Sequence, residues 1–496
     1  MPGRLPIDES TYPCPGDGDS ATQALFVVHQ ASDARSGVNS RLYPLLHSIM
    51  GKRKIWEKLL SAERPGAGKT PGSPERTAFQ QDYDRIVFTS AFRRLKDKTQ
   101  VFPLSKSDYV RTRLTHSLEA SCVGRSLGAV VGREIIARHG LQQVESGDFG
   151  AIVAAACLAH DIGNPPFGHA GEDAIREWFR NSGLLDRHPF SSAQRADFER
   201  YEGNAQGFRI VARLQSPANP GLQLTSAVLA AFTKYPRPSA LDAELDGKSG
   251  KKFGFFQHDA PSFRAVAAST GLIERIPGMA WRRHPLAFLV EVADDTCYLI
   301  VDLEDAAKLG FVPYRDAECL LGDLAGDSVS GGRLERLHDP KERLEYLRAK
   351  AIGRLLESAA AVFLENEAAI LAGRFDDDLL DQSPVAVPLQ AVLKLAKETI
   401  YTARPALEIE TAGFEVLGAL LGLFTSAVEA ASGFGRMTTR ERMLLRLLPS
   451  QFLAHDGQPD PDPYVRLLQI ADFVAGMTDS YAVDMYRKLK GFDLPA

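Results

Sequence analysis

The sequence predicts a mainly α-helical protein, and three observations carry that expectation. From Asp82 onward, apolar residues recur with the 3.6-residue spacing of helix faces. The strict alternation of half-buried strands is scarce. Short clusters of Gly, Pro, Asp and Ser separate the periodic segments and supply start and stop signals.

The elements follow in order. Residues 1–40 are rich in Pro, Gly, Ser and Asp and lack an apolar leader segment, so they read as a flexible tail. Residues 41–310 read as a catalytic core with N-terminal elements. Residues 311–496 read as helices that complete the core and offer subunit interfaces. GAGKT (66–70) imitates a phosphate-binding loop, but Glu63 stands where the first glycine belongs, and Pro65 and Pro71 deny the strand–loop–helix context. In RLTHSLEASCVGRSLGAVVGREIIARHG, residues Leu114, Leu118, Val123, Leu127, Val130 and Val131 form a broad apolar stripe, with Gly140 as the stop. A second helix covers Phe149 to His160. Further helices are expected at 171–182, 203–214, 221–233, 284–308, 341–372, 386–402, 412–432, 438–448 and 463–489. The stretches 183–200 and 237–262 are polar and rich in Pro and Gly, and are expected as surface excursions. No internal repeat is seen.

Bulk properties narrow the function classes. With 496 residues and 44% hydrophobic content the chain can bury a large core. A net charge of −5 gives no global basic field for nucleic acid. The five cysteines are scattered and form no CxxC pair, which argues against a disulfide framework and a thiolate zinc site and suits a reducing, cytoplasmic setting. The apolar run 414–431 contains Glu415 and Glu429, so it is expected as a buried helix and not a membrane span.

Four His-Asp pairs occur. His258-Asp259, His338-Asp339 and His455-Asp456 sit in polar, Pro- or Gly-flanked surroundings and read as turns or caps. Only His160-Asp161 ends an apolar helix, AIVAAACLAHD. Two polar groups at the end of a buried helix need compensation. A metal ion supplies it to both; a histidine hydrogen-bonded to its neighbour is the alternative. His116 lies beside the apolar face of the preceding helix. In FLVEVADDTCYLIVDLEDA, Asp294, Tyr298 and Asp302 are four apart and share one face, which lines a cavity or else faces solvent. Two imidazoles and two carboxylates make a mixed N/O donor set that suits Mn²⁺, Mg²⁺, Co²⁺ or Fe²⁺.

Six ordered blocks, AFRRLKDKTQVFPL, VRTRLTHSLE, HDIGNPPFGHAGE, YEGNAQGFRI, ADDTCYLIVDLEDA and FVAGMTDSYA, resemble the deoxyguanosine triphosphate triphosphohydrolases, a family of HD-domain metal-dependent phosphohydrolases. They span about residues 82 to 485. The resemblance implies an all-α HD fold with additional C-terminal helices. It also implies hydrolysis of dGTP or other dNTPs to deoxynucleoside and tripolyphosphate. Carried over by position, it implies His116, His160, Asp161 and Asp294 as metal ligands and His169 with Glu172 as the catalytic pair. Arg113, Gln100, Asn204, Lys234, Tyr298 and Asp302 match substrate-binding positions. His169 is expected as the acid that protonates the leaving 5′ oxygen. Asn164 replaces a histidine of some relatives and is given no catalytic part. The resemblance further implies a homo-oligomer, with hexamers among relatives, and single-stranded DNA as a partner of some of them; no membrane partner is expected. The rivals are another HD nucleotide phosphohydrolase and a non-catalytic nucleotide- or DNA-binding HD protein.

Overall fold

A computed structural model describes residues 42–66, 68–69, 75–100, 111–215, 221–329, 331–454 and 456–492. The tail 1–40, two residues of GAGKT, the VFPL end of the first block and His455 lie outside the described residues. Lys52–Ala496 forms one unit, and the described part of Met1–Gly51 is the start of a helix.

The first helices are Leu42–Leu59 (α1), Ala78–Val87 (α2), Ser90–Arg94 (α3), Arg113–His139 (α4), Ser146–Ala159 (α5) and Gly168–Asn181 (α6). Ser192–Glu199 (α7), Gly203–Arg209 (α8), Ser226–Phe232 (α9), Ala260–Thr270 (α10), Pro285–Lys308 (α11) and Tyr314–Ala325 (α12) follow. The rest are Gly331–Leu334 (α13), Pro340–Leu371 (α14), Ala386–Leu395 (α15), Arg404–Ala431 (α16), Thr439–Leu447 (α17), Pro463–Ala475 (α18) and Asp479–Lys490 (α19). Among the described residues, strands are confined to two short antiparallel pairs, Glu63–Arg64 (β1) with Gly68–Lys69 (β2), and Glu274–Ile276 (β3) with Ala280–Trp281 (β4). The fold is mainly helical, as the periodicity predicts, and Gly68–Lys69 pairs in a hairpin where a phosphate-binding loop would lead into a helix.

Local chemistry sets the ends. Gly140 closes α4 in the left-handed conformation (φ 61). Pro285 opens α11, and the His284 ring accepts the Leu286 N–H at 3.1 Å. The single helix expected over 463–489 is two: Thr478 is extended and its hydroxyl accepts the Tyr481 N–H at 3.2 Å, so it caps a new helix. The excursions also need correction. Residues 183–200 contain α7 with buried Leu184, Leu185 and Phe198, and 237–262 buries Phe253, Phe255 and Phe256. Each such aromatic contributes about 1.5–3 kcal/mol by leaving water, which outweighs the polar appearance of its neighbours.

Two apolar clusters build the interior. The first joins α4, α5, α9, α11 and α14 through Leu127, Val153, Val228, Leu289 and Leu355. The second joins α6, α16 and α18 through Ile175, Leu420 and Leu467. Of the described helices, α16 is long and apolar enough to cross a membrane, but Val416, Leu417, Leu420, Leu421 and Phe424 are committed to this second cluster.

The stripe on α4 departs from expectation. Leu118 and Val130 are exposed, and the face packed on α5 runs through Gly124, Gly128 and Gly132. A Cβ on these would meet Cys157 Sγ at 2.6 Å, the Phe149 carbonyl at 2.8 Å and the Phe149 side chain at 2.7 Å, so bare backbone lets the helices close. The turn after α5 is packed as tightly. A Cβ on Gly163 would collide with the Gly207 nitrogen, and one on Gly171 would collide with the Pro166 carbonyl.

This packing can be tested at two points. Gly163→Ala and Gly171→Ala each cost more than about 2 kcal/mol, because the obstructing atoms are backbone and cannot step aside. Gly147→Ala, an exposed position with nothing within 4 Å, leaves the urea midpoint unchanged or slightly raised. The second point is Asp197, buried beneath Tyr464. Burial away from water raises its carboxyl to about 7, against the bonds it accepts from Ser239, Tyr464 and the Gln257 N–H. The folded state thus holds a proton that the unfolded chain releases near pH 3.8. Its contribution is complete below about pH 4 and is lost as pH rises through about 7. Asp197→Asn mimics the protonated form, so its melting temperature gains on wild type between pH 5 and 8. A constant difference across that range refutes the assignment.

Candidate functional site

The four helix-borne groups of the His-Asp reading approach one another from three segments. Thr112 starts α4, with its N–H bonded to the Thr115 hydroxyl at 3.0 Å, and the first turn delivers Arg113 and His116 inward. Every residue of α5 from Ile152 to Ala159 is buried, and the helix ends where His160 turns out of it. The His160 Nδ1–H donates to the Cys157 carbonyl at 2.6 Å, which orients the ring and leaves Nε2 facing the centre. Asp294 enters from the middle of α11, its Oδ1 3.1 Å from His116 Nε2 and 3.2 Å from His160 Nε2. The two imidazole centroids are 5.1 Å apart.

Within this cluster His160 Nε2 is buried yet makes no hydrogen bond, although Asp294 Oδ1 and Asp161 Oδ1 lie 3.2 and 3.5 Å away. A lone pair aimed at carboxylate lone pairs needs a cation between them. Without a metal a proton must serve: burial disfavours the charged ring, but Asp161 and Asp294 push its pKa up to about 9. Donor atoms of His116, His160 and Asp294 lie within 4.8 Å of one another, and the set of two nitrogens and a carboxylate fits a divalent metal ion. Asp161 stands at the edge of this group. Its Oδ2 accepts from Arg113 at 2.7 Å and its Oδ1 from the Asn164 amide, so Asn164 orients a carboxylate. Burial opposes ionisation of Asp161, but Arg113 and His160 hold it well below the usual range. Lys234, just after α9, bonds Asp294 Oδ2 at 2.5 Å. Burial again opposes the charge of Asp294, and Lys234 with His160 overcomes it.

A cavity of about 440 Å³ opens beside the cluster. Gln100, Arg113, His160, Asp161, His169, Asn204, Lys234, Asp294 and Tyr298 line it. His116 lies behind the wall. Glu172 is likewise buried behind His169, whose ring is largely exposed, and its Oε2 is 2.9 Å from His169 Nδ1. Glu172 Oε1 accepts the Gly203 N–H at 2.6 Å. Burial would raise this carboxyl, but the bond from His169, with Lys252 and Arg176 nearby, holds it down. Asp302 is buried outside the cavity lining and accepts from the Tyr401 hydroxyl at 3.5 Å. The α11 stripe therefore faces neither solvent nor one uniform cavity wall.

The chain matches the HD domain over residues 113–217 and the phosphohydrolase-associated domain over residues 389–488. It is 48% identical over 454 residues to a deoxyguanosinetriphosphate triphosphohydrolase-like protein of Synechocystis, covering 88% of this chain and all of the relative. A like-named protein of Pseudomonas aeruginosa is 41% identical, covering 89% of this chain and all of its own. The deoxyguanosinetriphosphate triphosphohydrolase of Yersinia enterocolitica is 30% identical, covering 88% and 98%.

The chain belongs to the deoxyguanosinetriphosphate triphosphohydrolase family. In this member, cavity residues beyond the motif blocks come from unexpected places. Lys252 arises from the stretch expected on the surface and reaches Glu202 at 3.1 Å. Tyr401 stacks on Tyr298 at 5.2 Å and 20°, and Glu410 comes from α16. No spacing signal marks Lys252 or Glu410; for Tyr401 the hint was an aromatic at the end of an apolar helical run. Gln100 Oε1 is buried in the lining without a hydrogen-bond partner.

Ligand removal tests the centre. His160→Ala and Asp294→Asn each weaken Mn²⁺ binding more than about 100-fold by isothermal titration calorimetry, beyond what loss of an orienting group does. Asp302→Asn stays within a few fold of wild type.

Proposed function

We propose that this chain hydrolyses dGTP or other deoxynucleoside triphosphates to the deoxynucleoside and tripolyphosphate in the cytoplasm. The observation that carries this reading is His169, held at 2.9 Å by buried Glu172 and exposed on the wall of a cavity that His160 and Asp294 of the His116–His160–Asp294 cluster also line. The names of the relatives supply the substrate class.

His116, His160 and Asp294, with Asp161 as a fourth ligand, would hold Mn²⁺ or Mg²⁺, which supplies Lewis-acid polarisation of water and phosphate when bound. The remaining work falls to the chain's own groups. A water oxygen bonds the α-phosphorus as its bond to the 5′ oxygen breaks, so the water's oxygen stays with the tripolyphosphate and the expelled alkoxide needs a proton. Glu172, buried and ionised, accepts from His169 Nδ1 and keeps the ring oriented, so that a proton on Nε2 is directed into the cavity for the leaving oxygen. Arg113, Lys234 and Lys252 line the same cavity and neutralise the phosphates, with Asn204 of the same lining as a neutral donor. The unpaired Gln100 oxygen accepts from a sugar hydroxyl, and the stacked Tyr298–Tyr401 pair leaves no partner for a 2′-hydroxyl. Asp302 acts on the sugar side through Tyr401.

Incubation with each dNTP and Mn²⁺, followed by ion chromatography, shows tripolyphosphate as the inorganic product. Orthophosphate or pyrophosphate in its place assigns another HD phosphohydrolase, and no product with tight DNA binding assigns a binding protein. His169→Ala lowers kcat by about 10²–10⁴-fold while Mn²⁺ affinity is retained.

A further inference from the structure

The proposed chemistry leaves one sequence block, FVAGMTDSYA, without a role. Its aspartate, Asp479, is the first residue of α19, and only 1% of it is exposed. Both carboxylate oxygens are committed to cavity-forming segments far earlier in the chain. Oδ2 accepts the Thr99 N–H at 2.9 Å and the Thr99 hydroxyl at 2.6 Å. Oδ1 accepts the Phe167 N–H at 3.1 Å. Thr99 immediately precedes Gln100, and Phe167 lies two residues before His169.

Phe167 is one of two non-glycine residues with positive φ (63) among the described residues. Side chains rarely adopt that conformation, and it persists only where the surroundings over-determine it. Asp479 holds its backbone, and its ring fills a notch at Gly413 of α16, where a Cβ would come within 2.8 Å. The same hairpin grips a third point: the Lys98 ammonium donates to the Ala475 carbonyl at 2.9 Å and to the Asn164 carbonyl. The α18–α19 hairpin thus braces the strand-like segment 98–100 and the turn 164–168 against each other.

We propose that Asp479 is a positioning residue that sets Gln100 and His169 in register, one oxygen for each. It touches no substrate. This rests on the function proposed above, with Gln100 on the sugar and His169 on the leaving oxygen. Asp479→Ala releases both segments, whereas Thr99→Val removes one hydroxyl donor at constant shape and loosens only the Gln100 side.

The test measures kcat and KM for dGTP together with Mn²⁺ stoichiometry. Asp479→Ala lowers kcat by about 10–100-fold, the penalty of misplacing a catalytic group by about an ångström, with one Mn²⁺ still bound per chain. Thr99→Val raises KM, and combined with Gln100→Ala it adds nothing beyond the Gln100→Ala effect, because both act through the same contact. A wild-type kcat for folded Asp479→Ala overturns the assignment, as does additivity in the Thr99/Gln100 cycle. Should Asp479→Ala fail to fold, the cycle decides alone. Wild-type protein that releases no tripolyphosphate defeats the parent reading instead, and this assignment falls with it.

Discussion

A half-buried carboxylate faced by three nitrogen-bearing side chains is the constraint on which the rest of this structure depends. Asp294 meets His116 and His160 on one oxygen and Lys234 on the other. A carboxylate partly withdrawn from water is costly without partners, so the fold favours having all three in place. Those partners belong to the start of α4, the end of α5 and the segment after α9, while Asp294 belongs to α11. One electrostatic requirement therefore locks the register of four segments of the first apolar cluster. The glycine seam between α4 and α5 serves that end, since bulkier residues would push the helices apart and carry His116 away from His160.

The convergence of these groups was legible because each violates local expectation. An apolar helix that ends on His160-Asp161, and a mostly apolar α11 that carries Asp294, both call for compensation on their residue pattern alone. Helix existence was legible for the same reason that it is stable: periodic burial. The details failed where burial is not periodic. Small residues form the contact face of α4, so a search for large apolar side chains picked Leu118 and Val130, which face outward. Aromatic residues interrupt the polar stretch 237–262, and their burial draws Lys252 into the cavity wall. No propensity records that kind of tertiary override.

Asp302 shows a finer limit. Four-residue spacing puts it on one face with Asp294 and Tyr298, and that inference about direction holds for a helix in isolation. What it cannot convey is that Tyr401, about a hundred residues later, covers Asp302 and takes its place in the cavity lining. Spacing defines a direction; only the packed neighbour decides whether the group at its end reaches a ligand. The same holds for Glu172, which is one turn from His169 yet buried, with its other oxygen held by the Gly203 N–H.

The cavity sits where the two apolar clusters meet, and this arrangement has a consequence for assembly. Asp294, His160 and Lys234 belong to elements of the first cluster, whereas Phe167, Ala406 and Glu410 belong to elements of the second. A strained residue such as Phe167 stores about 1–3 kcal/mol, which a local segment cannot hold by itself. Here the opposing contacts come from α16 and α19, near the end of the chain. His169 is therefore held in place through contacts with the C-terminal helices, whereas His116, His160 and Asp294 converge within elements of the first cluster. The His116–His160–Asp294 cluster and the His169 side of the cavity thus depend on different parts of the fold.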